Sequence, residues 1–345
     1  MKNKVLSFTL LVVLSLFSCT STTYMQVLIP ADITLPPYIQ RIGIVNRCIP
    51  DKESQFMNIM EGVLTGESIG ADREGADNTM RGLKNVLDQT NRYEVTIPAV
   101  NLKNEGMGAM PPPLDWTVIH EICSRHQLDA LVVLESFDSD SRIFTNPVQR
   151  KIKNREGVET VVTEFLAHAD LRIRSKWRVY ADSTKDIIDQ FSSEDIKPFE
   201  NVGPNPQAAM AGLPYKRAAI NQAGFFAGSN YGYRIAPKWL NVQRFYYTKG
   251  NDALKWGGKK AKRGDWKTAT EIWRKETSNE NNKVAQRAQY NMALACERNG
   301  NLDLAIEYAK KSYQMYGNKR AKDYINILER RKRDQAKLDY QMQGK

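Results

Sequence analysis

Four cationic side chains alternate with apolar ones within the segment 164–180. The four are Arg172, Arg174, Lys176 and Arg178. Because successive side chains of a strand point to opposite faces, this period predicts a long strand with one core face and one basic face. Guanidinium and ammonium groups spaced along one face could form a ladder of ion pairs with an anionic partner.

A second interpretation gives these cations a structural role. They could face water, or they could pair across a β-hairpin with acids near its returning strand, at Asp186, Asp189, Glu194 and Asp195. This interpretation is favoured, because the solvated face of an antiparallel sheet is expected to be polar. The four cations remain the candidate partner-binding residues.

The remaining residue types that could do chemistry are sparse. The chain has three histidines, and His120 and His126 lie six apart on one predicted helix, a spacing that does not converge on a metal ion. His168 lies on the basic strand face. The paired acids Asp138 and Asp140 are assigned to a loop. With no nucleophile elbow, phosphate loop or zinc-binding helix motif, the sequence predicts no catalytic residue, metal site or cofactor.

Length and composition fit an ordinary globular protein. The chain has 345 residues, 41% hydrophobic and 26% charged, with a net charge of +11 and four cysteines. At roughly 150 residues per domain, two domains are expected. These values exclude a disordered chain, a polytopic membrane protein and a disulfide-rich scaffold.

The N-terminus resembles a bacterial lipoprotein signal. Lys2 and Lys4 precede a short apolar run, Val5 to Leu16, which ends in the lipobox-like sequence Leu-Phe-Ser-Cys at 16–19. The resemblance implies a signal peptide over 1–18, a lipid anchor on Cys19, a tether over 19–38 and the periplasmic face of the outer membrane. An ordinary signal peptide with an incidental cysteine is the alternative.

Export also bears on the partners. In a cytosolic protein the basic charge would suggest nucleic acid, but an exported chain meets lipid headgroups, cell-wall polymers and acidic protein surfaces instead. The sequence therefore predicts envelope proteins and the lipid bilayer as partners, and no nucleic acid. Among the other cysteines, Cys123 and Cys296 fit helix cores. A disulfide between Cys48 and Cys123 stays open.

Hydrophobic periodicity predicts an α/β (α+β) domain over 39–235. Strands are expected at 39–45, 93–97 and 129–134, and a long hairpin at 164–191. Helices are expected at 72–90, after the N-cap Asp115, and at 215–228, where small residues suggest close packing onto the sheet. Residues 51–71 are assigned to loop, and Pro198 to Pro206 to a break.

The C-terminal part contains an internal repeat. Gly264-Asp-Trp266 and Gly300-Asn-Leu302 lie 36 residues apart, close to the roughly 34-residue period of tetratricopeptide (TPR) units. The residues typical of such units are Gly264, Trp266, Ala269, Trp273, Ala293, Gly300 and Ala305. The sequence thus predicts an all-α, TPR-like domain over 240–318, followed by a capping helix and tail over 319–345. The aromatic cluster at 239–247 is interpreted as a hinge between the domains.

The order of elements in the first domain resembles curli-secretion lipoproteins, lipoprotein activators of penicillin-binding proteins and the N-terminal domain of the Tol–Pal translocation protein. The segments that carry this likeness read IGIVNR, YEVTI, LDALVVL and the long hairpin. With the repeats added, the chain resembles an uncharacterised family of bacterial lipoproteins, which implies no active-site residues. We expect a protein-binding or scaffolding module without catalysis; the alternative is an oligomeric secretion or assembly component of the outer membrane.

Overall fold

A computed structural model describes residues 20–48, 71–100, 102, 110–153 and 157–343. The chain divides into two compact units. The sheet unit comprises 31–237 with the last residues of the chain, and the helical unit comprises 238–340 with the N-terminal residues up to Pro30. A sheet-containing domain followed by an all-helical region confirms the predicted fold class. Cys19 and nearly all of the loop predicted at 51–71 lie outside the described residues.

The sheet unit is built on five strands in the order β3-β2-β4-β5-β6. Their bounds are β2 Arg41–Asn46, β3 Glu94–Thr96, β4 Ala130–Lys153, β5 Glu159–Ala181 and β6 Asp186–Gly203. Strand β2 pairs in parallel with β3 and β4, whereas β4, β5 and β6 are antiparallel. The predicted strands and the long hairpin are therefore confirmed.

The described part of this unit contains four helices: α1 Ala71–Gln89, α2 Trp116–His126, α3 Pro206–Ala211 and α4 Lys216–Ile235. Helices α1 and α4 cover one face of the sheet, where Tyr231 stacks on Trp177 with ring centroids 4.5 Å apart. Helix α2 covers part of the opposite face, next to Tyr180. Asp115 caps α2 as predicted and accepts a hydrogen bond from the backbone N–H of Thr117.

Two loop assignments were wrong, because the strands run further than the sequence pattern indicates. Asp138 and Asp140 lie within β4, and β6 continues through Pro198 to Gly203. Beyond Ser136 most of β4 is exposed or half-buried, so its sequence shows no alternation of apolar and polar residues. When both faces of a strand are exposed to solvent, no face packs on a core, and the sequence therefore does not need to alternate apolar and polar residues.

Glycines let α1 and α4 pack backbone against backbone. A Cβ added to Gly228 would meet the carbonyl oxygen of Thr79 at 1.8 Å, and one added to Gly82 would meet that of Phe225 at 2.0 Å. Three alanines of α4, Ala219, Ala223 and Ala227, instead pack on the sheet and are buried, whereas Ala218 is exposed. The small-residue helix predicted at 215–228 is confirmed, although its small residues serve two different contacts.

The helical unit contains five helices among its described residues: α5 Asp252–Lys262, α6 Trp266–Lys275, α7 Asn282–Arg298, α8 Leu302–Gln314 and α9 Lys319–Gln341. It also contains a two-stranded antiparallel ribbon, β1 Thr20–Ile29 paired with β7 Lys238–Tyr247. Residues 20–29 are thus a strand, where the sequence analysis assigned a tether. The segment assigned to a hinge is its partner strand. Because the whole sheet unit separates the two strands in the sequence, local pattern gives no sign of their pairing.

The two predicted repeat turns have the same geometry. Gly264 and Gly300 adopt positive φ angles of 83° and 78°, which glycine tolerates without the Cβ penalty. The residues that follow, Asp265 and Asn301, cap α6 and α8 by accepting hydrogen bonds from backbone N–H groups three residues on. The three cysteines within the described residues are all free thiols, so Cys48 and Cys123 form no disulfide.

Candidate partner-binding face

The candidate site is the face of β4, β5 and β6 opposite α1 and α4, beyond the part that α2 covers. We call it the open face. The strand registers place together Ser136, Asp138, Asp140, Arg142 and Phe144 of β4, His168, Asp170, Arg172, Arg174 and Lys176 of β5, and Ser192, Glu194, Ile196 and Glu200 of β6. Cross-strand neighbours on one face approach closely enough to interact. Three of the four predicted cations therefore share this surface.

Two arginines link the three strands of the open face. Arg174 donates to Asp138 at 2.9 Å and to Glu194 at 3.2 Å, so it joins β5 to both neighbours. The same Glu194 forms an ion pair with Arg172 at 3.4 Å. Hydrogen bonds to Asp138 and Glu194 raise the pKa of Arg174 above its ordinary value. The side chains of both arginines remain over 40% exposed, so solvent and a partner can reach them.

Aromatic and apolar groups extend the open face beyond the charges. The ring of His168 stacks on Phe144 with centroids 4.9 Å apart, and its Nδ1 lies 3.1 Å from Glu200. The guanidinium of Arg142 lies over the same Phe144 ring. Ile196 on β6 is 46% exposed. The open face thus combines exposed ion pairs with exposed apolar side chains.

Arg178 departs from the prediction, because it is buried. It donates to Glu135 at 3.1 Å, to the carbonyl oxygen of Pro111 and to Gln190. Glu135, which is fully buried, also accepts from Arg47 at 2.9 Å and from Tyr180 at 2.7 Å. Arg178 therefore cannot reach a partner at the surface.

Strand alternation placed Arg178 correctly on the even face but could not show that a neighbouring segment covers it there. The segment around Pro111 does so, and the carbonyl oxygen of Pro111 accepts a hydrogen bond from Arg178. Burial and the hydrogen bond to Glu135 raise the pKa of Tyr180 to about 12, so its hydroxyl stays protonated and donates. The only sequence signal was an acid, Glu135, directly after an apolar strand.

The acids proposed to pair with the four candidate cations lie on both faces of the sheet. Of that set, Glu194 pairs with Arg172 and Arg174 on the open face. Asp189 and Asp195 instead bond to residues of α4: Asp189 accepts from Arg234 and Tyr231, and Asp195 from Asn230.

His120 takes part in a polar triad that the sequence analysis missed. Its Nδ1 lies 3.0 Å from Asp182, and its Nε2 lies 3.3 Å from the hydroxyl of Ser124. These three residue types can activate a serine nucleophile. Such chemistry also needs a water-excluding site with oxyanion donors, whereas the His120 side chain is 70% exposed. We interpret the triad as surface hydrogen bonding at the C-terminal half of α2.

Most of the repeat residues fall in the core of the helical unit, whereas Gly264 and Gly300 lie in exposed turns. Ala269, Trp273, Ala293 and Ala305 are fully buried, and Trp266 packs against Trp273. Beside them lies β7, and the fully buried Asn291 of α7 holds its backbone. The side chain of Asn291 accepts from the N–H of Tyr247 at 2.7 Å and donates to the carbonyl of the same residue at 2.8 Å. Strand β7 therefore covers this part of α7.

A buried acid fixes β7 to the helices. Glu297 of α7 accepts hydrogen bonds from Arg244 of β7, and from Tyr324 and Arg331 of α9. Burial by itself raises the pKa of this carboxyl, but the hydrogen bonds and the charge of Arg244 outweigh burial, so the pKa of Glu297 is lowered. The carboxylate therefore stays charged at neutral pH.

In the parts of the chain that the structure describes, no helix is both long and apolar enough to span a bilayer. Nor do three or more His, Cys, Asp or Glu side chains come together in a way that could hold a metal ion.

Comparison with known proteins gives family matches without a function. A family model described as "Domain of unknown function (DUF8603)" matches residues 39–247, and "Domain of unknown function (DUF6340)" matches residues 255–330. No curated protein matches the chain.

Two solved structures align with low scores. The PelC dodecamer from Paraburkholderia phytofirmans is 10% identical, with a TM-score of 0.22, over 62% of this chain and 99% of that one. A hemagglutinin homolog from Helicobacter pylori is 11% identical, with a TM-score of 0.21, over 58% and 84%. At these scores the likeness carries no argument.

Proposed function

This chain belongs to the DUF8603 family, whose description states no function, and we propose that it is a lipid-anchored scaffolding protein of the bacterial envelope. It binds a partner protein through the open face and performs no catalysis. The observation that carries this proposal is the network of Arg172, Arg174, Asp138 and Glu194 beside exposed apolar side chains, on a sheet face that α1 and α4 leave uncovered.

The chemistry of the open face favours a protein over a simple polyanion. A polyanion needs unopposed positive charge, whereas Arg172 and Arg174 are already paired with Glu194. Exposed ion pairs contribute little to stability, so a partner's carboxylates can replace the internal ones at low cost. Phe144 and Ile196 add the apolar contact that a protein surface can match. The helical repeats are a weaker candidate because β7 covers part of α7.

The anchor part of the proposal rests on the lipobox-like residues 16–19. Each buried acyl methylene contributes about 0.8 kcal/mol, and stable attachment takes more than one chain. Thr20 follows the cysteine in place of the aspartate typical of inner-membrane retention. We therefore propose the periplasmic face of the outer membrane.

The docking test is crosslinking in intact cells, followed by purification of a C-terminally tagged chain. The test variant carries Arg172→Ser, Arg174→Ser and Lys176→Ser, and it spares Arg178 because that residue is buried. The matched control carries Lys84→Ser, Arg125→Ser and Lys311→Ser, which removes the same charge from exposed helix pairs. We expect one recurrent envelope protein with wild type and control, and its loss with the test variant. Equal recovery from all three would refute docking through the open face.

The anchoring test is separate. Cys19→Ala should move the chain from the membrane fraction to the soluble periplasmic fraction and abolish incorporation of labelled fatty acid. A chain that stays membrane-bound and labelled after this change is not anchored through Cys19.

A second candidate function is an oligomeric secretion or assembly component. It is favoured by the edges of the sheet: β2 pairs with β4 only along Ala130–Leu134, and within the described residues no strand pairs with the outer edge of β4 after that or with the outer edge of β6. Unpaired edges are templates for adding strands, here from further copies of the chain. Light scattering of the purified protein in detergent decides this, because a monomer at micromolar concentration excludes a stable assembly.

A further inference from the structure

The β1–β7 ribbon has one face towards the helices and one towards solvent. On the inner face, Met25 packs against the helical core and Arg244 bonds to Glu297. The register places alternate side chains on the outer face, which we call the ribbon face: Thr22, Tyr24, Gln26 and Leu28 of β1, with Trp239, Asn241 and Gln243 of β7. Nearly all of them are exposed. The face ends at Phe245, which lies opposite Thr22 but packs against the helical core.

The composition of the ribbon face is unusual for this protein. None of its seven side chains is charged, although charged residues make up 26% of the sequence. Tyr24 is 67% exposed and Trp239 is 63% exposed, and three amide side chains lie between or beside them. Tyrosine and tryptophan are enriched where a protein meets the membrane–water interface, because each ring combines an apolar body with a polar group. An uncharged face also has no ions to desolvate there.

The position of the ribbon in the chain identifies what covers this face. Strand β1 begins at Thr20, the residue directly after Cys19, and consecutive Cα atoms are only about 3.8 Å apart. If Cys19 carries the lipid, the ribbon starts at the bilayer surface with no intervening linker. We propose that the ribbon face lies flat on the membrane interface, so that the helical unit rests on the bilayer. This inference depends on the lipid anchor of the proposed function.

The length of the ribbon separates two orientations. A strand advances about 3.3 Å per residue, and Trp239 pairs with Leu28, eight residues beyond Thr20. An upright ribbon would therefore hold Trp239 roughly 26 Å from the anchor. A flat ribbon holds it at the interface. The depth of this one side chain reports the orientation.

The test is fluorescence quenching by brominated acyl chains. Purified full-length lipidated protein is reconstituted into phosphatidylethanolamine–phosphatidylglycerol vesicles, with or without brominated phosphatidylcholine, and flotation confirms attachment. We expect brominated lipid to quench the wild-type emission and Trp239→Phe to lose that quenching. The matched control is Trp256→Phe, because Trp256 is also in the helical unit and 49% exposed. This control should keep the quenching.

The other outcomes count against the proposal. Attached protein without quenching, or quenching lost only in Trp256→Phe, means that a different surface faces the bilayer. Protein that elutes from detergent as a dimer, and becomes a monomer on Tyr24→Ser with Trp239→Ser, assigns the ribbon face to a second copy. Protein that does not float removes the lipid anchor itself and the orientation with it.

Discussion

At the scale of single residues, each unit contains a buried glutamate that accepts hydrogen bonds from the same types of side chain. Glu135 accepts from two arginines and a tyrosine in the sheet unit, and Glu297 does so in the helical unit. Both carboxyl groups are completely buried. Removing one partner of such a cluster leaves a buried charge poorly compensated, which costs far more than breaking an exposed pair.

Two arginines of strand β5 should therefore respond differently to the same change. Arg178→Ser should lower the free energy of unfolding by about 3–5 kcal/mol, because it takes a partner from buried Glu135. Arg174→Ser, at an exposed position of the same strand, should change it little. Urea unfolding followed by near-UV circular dichroism measures both. Similar losses for the two variants would contradict the assignment of Arg178 to the core and Arg174 to the surface.

The Glu297 cluster makes stability depend on acid pH. A carboxyl whose pKa is lowered by folding stabilises the protein above the ordinary value of 4.5, and this contribution is lost as the pH falls through the folded-state value. Glu297→Gln should cost about 3–5 kcal/mol at pH 7. The difference in free energy of unfolding between this variant and wild type should become smaller below about pH 4.5.

Urea unfolding across this pH range, followed at 222 nm, measures the effect of Glu297→Gln. The exposed Glu307→Gln is the control, and its difference from wild type should be small at every pH. If the difference in free energy of unfolding between Glu297→Gln and wild type stays constant with pH, the destabilisation comes from the lost contacts and not from the lost charge.

At the scale of elements, the packing of α1 against α4 is determined by close backbone contacts and not by the hydrophobic period of either helix. Helices α1 and α4 meet through glycines, so their separation is set by backbone atoms. The sequence showed the small residues of α4 but not which of them face the sheet and which face α1. That choice depends on the relative rotation of two helices, which no single helix encodes.

Gly228→Ala should destabilise the sheet unit. The new Cβ would lie 1.8 Å from the carbonyl oxygen of Thr79, so α1 and α4 must separate at a cost of about 1–3 kcal/mol. Gln222→Ala, on the exposed side of the same helix, serves as control and should have little effect. Thermal melting compares the two, and a Gly228→Ala protein as stable as wild type would mean that the helices are further apart.

At the scale of the whole molecule, segments that are far apart in the sequence build one unit. Strand β1 precedes the sheet unit in the chain, yet it pairs with β7 and belongs with the helices. Asn291 holds β7 by both polar groups of the Tyr247 peptide, as a binding groove would hold an extended ligand. The helical unit therefore depends on strand β1 as well as on residues 238–340.

Asn291→Leu should loosen the ribbon without affecting the sheet unit. It keeps the side-chain size but leaves a buried N–H and C=O unsatisfied, at about 1–3 kcal/mol. Amide hydrogen exchange in 20–29 and 238–247 should quicken by about 5- to 150-fold, since each 1.4 kcal/mol is tenfold. Peptides from Ala130–Leu134 should not change. The control is Asn241→Ala, which changes an exposed amide in β7 itself. Equal effects of both changes on hydrogen exchange would contradict the role of Asn291 in holding β7.

The sequence by itself determined the elements that depend on local order. The α1 period, the Asp115 cap, the buried strand Ala130–Leu134 and the two glycine turns at Gly264 and Gly300 follow from side-chain spacing and backbone preference within a few residues. These features require no knowledge of what packs against them. The division into a sheet-containing part and a helical part followed from the same signals.

Only the tertiary structure decided which surfaces are free. Strand alternation put Arg174 and Arg178 on one face, and the chain around Pro111 then buried the second but not the first. Residues 20–29 carry no sign of β7, because the whole sheet unit lies between the two strands in the sequence. Burial and pairing between distant segments depend on the whole packed chain, whereas period and capping are properties of a few neighbouring residues.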